Sequence, residues 1–101
     1  MADQFSPKAP RSYTISGLVQ VMISRRNSSS LNGALYISNN GDSPVYLGFT
    51  APGDTVGNAK PNHGITVFPH TVCAFEDPTP NCCAIWAVCD ANKTSVIGVQ
   101  E

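Results

Sequence analysis

Four cysteines and two histidines are the residues of this 101-residue chain whose types could bind a metal or act as nucleophiles. Structural zinc sites usually carry cysteine pairs with about two to four residues between them. Here Cys82 and Cys83 are adjacent, and the next cysteine is Cys89. Adjacent side chains in a strand point to opposite faces, so one metal ion cannot easily collect both thiols. We therefore expect no metal and no other cofactor.

The thiols have two interpretations. Cys73 and Cys89 fall in predicted strands, where a free cysteine commonly serves as a small buried apolar residue. Cys82 or Cys83, at the edge of a predicted loop, could instead form a structural or intersubunit disulfide. Disulfides need an oxidising compartment, and the first eleven residues lack the apolar stretch of a signal peptide. The sequence leaves both interpretations open.

Catalytic motifs are not found in the sequence. A pair of a cysteine with His63 or His70 lacks a recognisable third group that would orient the histidine. There is no phosphate-binding G-x-x-x-x-G-K-[ST] loop and no G-x-G-x-x-G. Four carboxylates in predicted loops are expected to be solvated, with a calcium site as the alternative; they are Asp42, Asp54, Glu76 and Asp77. We expect a protein that is not an enzyme.

Three large aromatic residues could stack on a ligand. Tyr36, Tyr46 and Trp86 all fall in predicted strands. Exposed on one surface, they would form a platform for a sugar or a base. The alternative is that they belong to the core or to a subunit interface, which is the commoner place for large aromatics in a small domain.

Composition indicates which elements position these residues. The chain is 42% hydrophobic but only 13% charged, about half the usual ~25%. Long surface helices need charged faces, so the composition disfavours them. No apolar run approaches the ~18 residues of a membrane span. The formal net charge of −1 argues against a strongly basic nucleic-acid-binding protein. We expect neither membrane nor nucleic acid among the partners.

Alternating apolar and polar residues predict strands along most of the chain. The first strand is predicted from Tyr13 to Ile23. Two further strands, 34–38 and 45–49, are joined by a short Asn- and Gly-rich turn and are predicted to form an antiparallel hairpin. After a long loop over 50–64, the remaining strands are predicted at 65–68, 72–75, 83–89 and 95–100. The prediction is an all-β domain: a compact β-sandwich, Ig-like or jelly-roll-like, of about seven short antiparallel strands over residues 12–101.

Positive charge is concentrated near the N-terminus. Up to Arg26 the charged residues are Lys8, Arg11, Arg25 and Arg26 against Asp3 alone, and the rest of the chain is net acidic. Residues 1–11 are predicted to be a flexible arm. One interpretation is a basic region that contacts an acidic neighbouring subunit; the other is chance in a short sequence.

The stretch 34–48, ALYISNNGDSPVYLG, resembles a turn-and-strand motif of small tailed-phage virion proteins. The order of elements over residues 13–101 is similar, although the cysteines and prolines between Gly48 and the last strands are unusual for that group. The resemblance implies a non-enzymatic virion protein on the capsid surface, made in the host cytoplasm. Its expected role is a capsid decoration (cement) protein that bridges subunits of the major capsid protein. The alternatives are a tail, baseplate or fibre adaptor, or a carbohydrate- or receptor-binding module.

Self-association is expected because little charge is available to protect the sheet edges. Closed cyclic symmetry then favours a homo-oligomer, and the resemblance implies a trimer. The arm and the loops 50–64 and 76–82 are the expected contact segments. The candidate interface residues are Lys8, Arg11, Arg25, Arg26, Tyr36, Tyr46, His63 and His70.

Overall fold

A computed structural model of the chain describes residues 9–26, 34–75 and 83–101. These residues form eight β-strands and no helix, which confirms the all-β prediction. No helix there could cross a membrane. The strands are β1 (Arg11–Ser16), β2 (Val21–Arg26), β3 (Leu35–Asn39), β4 (Val45–Thr50), β5 (Ile65–Val67), β6 (Val72–Phe75), β7 (Cys83–Val88) and β8 (Thr94–Gln100).

The strands form two four-stranded antiparallel sheets. The first sheet has the order β1-β8-β3-β6 and the second has the order β2-β7-β4-β5. β1 pairs with β8, β2 with β7, β3 with β6 and β4 with β5, so the chain folds as one long antiparallel hairpin. Successive pairs alternate between the two sheets. This is the strand order of a jelly roll, one of the two sandwich types predicted from the sequence.

The core lies between the sheets and follows the period-two pattern of the strands. Its largest fully buried apolar side chains come from both sheets, as the predicted sandwich requires. They are Ile15, Ile23, Leu35, Ile37, Val45, Leu47, Val67, Ile85, Ile97 and Val99.

The strand predicted from Tyr13 to Ile23 is two strands in different sheets. Gly17 has a φ of 55°, a left-handed conformation that glycine adopts without steric cost. Its amide donates to the Lys93 carbonyl at 2.7 Å, and its carbonyl accepts from the Cys89 amide at 2.8 Å. The turn is thereby tied to the connection between β7 and β8. Val19, which in a single strand would share a face with Ile15 and Ile23, lies exposed in this turn.

The predicted hairpin between the strands around 34–38 and 45–49 is also wrong. β3 pairs with β8 and β6, whereas β4 pairs with β7 and β5. The buried Asn39 side chain stabilises the crossing between the sheets. Its Nδ2 donates to the carbonyls of Ser43 and Val67, at 2.8 and 2.9 Å. Its Oδ1 accepts from the Gly41 amide and the Ser95 hydroxyl, at 3.0 and 2.6 Å.

A bulge in β2 determines to which face of the sheet the side chains of Arg25 and Arg26 point. The pairing with β7 shifts between Met22 and Ser24, so Ile23 and Ser24 are both buried. After the bulge, Arg25 is exposed and Arg26 is buried. The strand continues to Arg26, into the segment that the sequence predicts to be a turn from Arg25 to Gly33.

The loop of residues 51–64 lies across the outer face of the second sheet. Gln20 binds both backbone groups of Ala59: Nε2 donates to the carbonyl at 2.8 Å and Oε1 accepts from the amide at 3.1 Å. Asn58 Nδ2 donates to the Phe49 carbonyl at 2.9 Å. Ala59 packs with Tyr46, Trp86 and their neighbours in a second apolar cluster. All six residues of β7 are therefore buried.

Candidate protein-binding surface

The outer face of the first sheet is exposed and carries no charge on its strands. We call this surface the open face. The strand register places eleven residues on it, all uncharged: Ser12, Thr14, Ser16, Tyr36, Ser38, Val72, Ala74, Thr94, Val96, Gly98 and Gln100. Three large side chains among them are exposed apolar groups, namely Tyr36, Val72 and Val96. The open face thus differs from the outer face of the second sheet, which the chain covers with its own loop.

A shallow groove of about 200 Å³ crosses the open face. Tyr36 and Val72 lie on one side of it and Pro10 on the other, with Gly98 between them. A Cβ atom at Gly98 would lie 3.0 Å from the Ser38 hydroxyl oxygen and 3.9 Å from the Arg11 carbonyl oxygen. The glycine therefore keeps the groove open. A side chain of a partner could enter there.

A second cavity, of about 240 Å³, lies at the side of the sandwich where β1 and β2 approach each other. We call it the edge cleft. Its polar lining comes from Arg11, Tyr13, Ser24, Arg25 and Glu101. Arg11 also lines the groove on the open face. Its side chain, opposite the buried Val99, points away from the open face, so the two cavities lie on different sides of β1.

Hydrogen bonds fix the geometry of the edge cleft. Arg11 Nη2 donates to Glu101 Oε2 at 2.6 Å and to the Ile23 carbonyl at 3.0 Å. Arg11 Nε donates to the Tyr13 hydroxyl oxygen at 2.9 Å. The Ser24 hydroxyl donates to the same Glu101 oxygen at 3.1 Å. The Arg11–Glu101 pair is partly buried, which favours a fixed orientation of both side chains.

The charge of Arg11 is permanent. Burial alone would lower its pKa, but the hydrogen bonds to Glu101 and Tyr13 outweigh that effect and the pKa is raised. Arg25 also lines the cleft, but its pairing opposite Ala84 places its side chain on the outer face of the second sheet.

The structure separates the predicted interface residues from one another. Arg11, Arg25 and Tyr36 lie on the open face or at the edge cleft. Arg26 and Tyr46, at 1% and 4% exposure, are buried and offer no side chain to a partner, contrary to the prediction.

The Tyr46 hydroxyl donates to Asp90 Oδ2 at 3.1 Å. Burial, together with this bond, raises the pKa of Tyr46.

The two histidines are exposed but lie away from the edge cleft and the groove. His63 Nδ1 lies 2.9 Å from the Pro61 carbonyl oxygen. His70 occupies a turn with a φ of 61°, and its Nε2 lies 3.0 Å from Asp42 Oδ1. Lys8 and the loop 76–82 lie outside the described residues, as does most of the predicted arm 1–11. Arg11, the last residue of that arm, begins β1.

The three large aromatic residues do not share a surface. Tyr46 and Trp86 lie on the second sheet beneath the loop 51–64, where Trp86 is only 6% exposed. Tyr36 lies on the opposite side of the sandwich, on the open face. A stacking platform of all three residues is therefore not formed.

Cys73 and Cys89 lie where the structure gives their thiols little reactivity. Both are free, and both pack against the main core. Burial raises the pKa of each thiol, and the negative charge of Asp90 raises that of Cys89 further. Cys82 lies outside the described residues. Within residues 9–26, 34–75 and 83–101, no three His, Cys, Asp or Glu side chains converge as metal ligands would.

Comparison of the chain with protein-family models, with curated proteins and with solved structures found no match. The resemblance of residues 34–48 to phage virion proteins stays a prediction.

Sequence patterns alone do not identify the open face or the edge cleft. The outward positions of β1 and β8 are small and uncharged, a pattern visible in the sequence once the strands are known. The pairing of Arg11 with Glu101 depends on the register that places Arg11 opposite Val99. The two residues are 90 positions apart in the chain, so local patterns cannot connect them.

Proposed function

We propose that this protein is a non-enzymatic structural component of a tailed-phage virion, a capsid decoration (cement) protein that binds through its open face. The observation that carries the proposal is the contrast between the two outer faces. One is covered by the chain's own loop, and the other is exposed and carries no charge on its strands. The phage and capsid assignment comes from the resemblance of residues 34–48. The jelly-roll order is compatible with it, because viral capsid domains use that order, as lectins and cupins also do.

An exposed sheet face without charge favours association. Charged side chains on sheets and their edges hinder unwanted pairing with other chains. Exposed apolar groups close together are typical of interaction surfaces. Tyr36, Val72 and Val96 provide such groups on the open face. A partner would cover them without having to desolvate a charged group on these strands.

The size of the open face indicates how strongly one copy could bind. Four strands ~4.8 Å apart and about six residues long cover a flat area of roughly 400 Å². A standard specific interface buries about 800 Å² on each partner. One open face alone would therefore bind weakly. A trimer presenting three copies to the major capsid protein would gain avidity, which is how a cement protein could bridge subunits.

The test uses one charged substitution on each side of the sandwich. Val72→Glu places a carboxylate on the open face at a 62% exposed position. Val56→Glu makes the same change at a 77% exposed position in the loop over the second sheet. Both variants should keep the far-ultraviolet circular dichroism spectrum of the wild type. Binding is measured by co-sedimentation with capsids assembled from the major capsid protein of the same genome.

We expect Val72→Glu to weaken capsid binding by about tenfold or more, because a buried unpaired charge is costly. Val56→Glu should bind as the wild type does. The proposal fails if wild-type protein does not co-sediment, or if both variants bind equally well. The tail or fibre adaptor alternative would appear as labelling of the tail and not the head in intact particles.

A further inference from the structure

We infer that the outer edge of β6 is a self-association site, at which β6 of a second copy of this chain pairs antiparallel about a twofold axis. The inference goes beyond the proposed function, because the pairing depends on the backbone of one strand and not on a virion partner. β6 is the last strand of the first sheet, and no described strand lies beyond it.

The hydrogen-bond pattern of the first sheet leaves backbone groups of β6 directed away from β3. The Asn39 amide donates to the Thr71 carbonyl at 2.9 Å. Hydrogen-bonded positions alternate along an antiparallel pair, so Val72 and Ala74 do not bond to β3. Their amides and carbonyls point outward, and both residues are exposed. No hydrogen bond joins these groups to another described residue.

The other three edge strands carry features that hinder pairing with a second chain. β1 begins with the charged Arg11, β2 contains a bulge, and β5 has only three residues. The Val67 carbonyl at the end of β5 also accepts from the Asn39 side chain. In contrast, β6 has four residues without a charge, a proline or a shift in register. It is therefore the least protected edge in the described part of the chain.

These features of β6 select a second copy as the partner strand. A twofold contact places a strand against its own copy, so a charged strand would meet its own charge. β6 carries no charge, and its outward groups match themselves. Val72 of one copy pairs with Ala74 of the other, and the reverse, which gives two hydrogen-bonded pairs with two bonds each. Pairing Val72 or Ala74 with its own copy would form only one such pair.

This pairing would extend the open face. The twofold axis of an antiparallel strand pair is perpendicular to the sheet, so the first sheets of two copies form one sheet of eight strands. Both open faces then point the same way and make one surface of about 800 Å², twice the roughly 400 Å² of one copy. A partner buries about that area in a standard interface. A twofold contact cannot by itself make a trimer, so within the proposed assembly it joins copies of neighbouring trimers.

Amide hydrogen exchange measures the pairing directly. An outward amide exchanges fast in a single copy and slowly once a second strand accepts its hydrogen. The contact is small, so it should depend on concentration. We expect the amides of Val72 and Ala74, followed by nuclear magnetic resonance, to exchange at least about twofold more slowly in protein at about 1 mM than at about 0.05 mM. No dependence on concentration would overturn the inference.

The opposite edge of the same sheet supplies an internal control. The Gly17 amide donates to the Lys93 carbonyl, so by the same alternation the amides of Ser12 and Thr14 in β1 point outward. Their exchange should be equal at both concentrations. Slowing at Ser12 and Thr14 equal to that at β6 would mean that β6 pairs with β1 of the next copy, and the twofold contact would be wrong.

Proline substitutions separate the edge of β6 from general crowding. Ala74→Pro removes one outward amide hydrogen and no bond to β3, and edge strands tolerate proline where the amide faces solvent. We expect it to keep the circular dichroism spectrum of the wild type and to abolish the concentration dependence at Val72. Thr14→Pro makes the matched change in β1 and should leave that dependence intact. The same result in both variants would contradict the inference.

A mixture of isotope-labelled and unlabelled wild-type protein tests the register without a variant. Cys73 lies at the proposed axis, in a position without hydrogen bonds between the strands, where opposite Cα atoms are ~4.5 Å apart. We expect a nuclear Overhauser effect between the Cα hydrogens of Cys73 in two copies. Its absence at a concentration that slows exchange would contradict this register. All these measurements use the isolated protein, so the proposed function, tested by Val72→Glu on capsids, can fail independently.

Discussion

The side chain of Asn39 makes hydrogen bonds in addition to those that pair the backbone of β3 with its neighbouring strands. Fully buried at the end of β3, it binds backbone groups of Gly41, Ser43 and Val67 and the hydroxyl of Ser95. Its amide group uses both hydrogens and its oxygen accepts twice. The residue therefore joins β3, the turn that follows it, the end of β5 and β8.

We predict that Asn39→Ala lowers the free energy of unfolding by about 3 kcal/mol, because several buried backbone groups lose their partner. Urea denaturation monitored by circular dichroism measures the change. Asn39→Asp keeps both acceptor positions but removes both donors, and should still be destabilising. Asn40→Ala, at the exposed neighbouring position, should stay within about 0.5 kcal/mol of the wild type. A loss at Asn40 as large as that at Asn39 would contradict this role.

The thiols of the half-buried Cys73 and the buried Cys89 make stability depend on pH in the alkaline range. Burial raises the pKa of Cys73 and Cys89 above the value of about 8.5 expected in the unfolded chain. At neutral pH both states are protonated and the thiols cost nothing. As the pH rises above about 8.5, the unfolded chain loses protons that the native protein keeps. The free energy of unfolding must then fall.

We expect urea denaturation under reducing conditions to show lower stability at pH 9.5 than at pH 7.5. The double variant Cys73→Ala, Cys89→Ala lacks these two groups and should show a smaller decrease, even if its stability is lower at both values. Working below pH 10 limits the contribution of Tyr46, whose pKa is also raised. An identical decrease in the double variant would show that other groups cause it.

Among the elements, the loop 51–64 depends on close contact with β4. Gly48 lies in that strand, and a Cβ atom there would be 2.7 Å from the Ala59 amide nitrogen and 2.8 Å from its Cα. Both atoms are backbone, so the loop itself would have to shift. Gly53, at the exposed side of the same loop, has no heavy atom within 4 Å of its Cβ position. Gly53 is therefore a matched control position for a substitution at Gly48.

We predict that Gly48→Ala destabilises the protein by about 1–3 kcal/mol through overpacking. The displaced loop should also expose Trp86, seen as stronger acrylamide quenching and a red shift of its fluorescence. Gly53→Ala should leave both stability and fluorescence nearly unchanged. Unchanged fluorescence in Gly48→Ala would mean that the loop does not shield Trp86.

At the scale of the whole molecule, the two outer faces of the sandwich differ in how much of each the chain itself covers. One side is completed within the chain by Gln20, Ala59 and the loop around them. The other presents the open face. Under the proposed function, a neighbouring protein in an assembly covers the open face that the chain itself leaves exposed.

We predict that size-exclusion chromatography with light scattering, in the presence of reductant, gives a trimer of about 32 kDa, three times the 10.7 kDa of one chain. Reductant excludes a trimer held only by disulfides. A monomer at all concentrations would remove the multivalent part of the proposed function and favour an adaptor that binds as a single copy.

The sequence determined the strand content, because alternation of apolar and polar residues is a local property of each segment. β6 lies at its predicted bounds, 72–75, and Ile85 and Trp86 of β7 face opposite sides, as the alternation of a strand requires. The sandwich class followed from many short strands with little charge. These features need no knowledge of which strands are neighbours.

Only the tertiary structure decided the pairing of the strands and hence the candidate site. Gly17 lies at the turn that divides one predicted strand between two sheets, and Asn39 forms hydrogen bonds where the chain crosses between the sheets after β3. Arg11 and Glu101 meet because β1 pairs with β8, from opposite ends of the chain. Contacts between residues so far apart in sequence depend on the whole topology, and local residue patterns do not encode them.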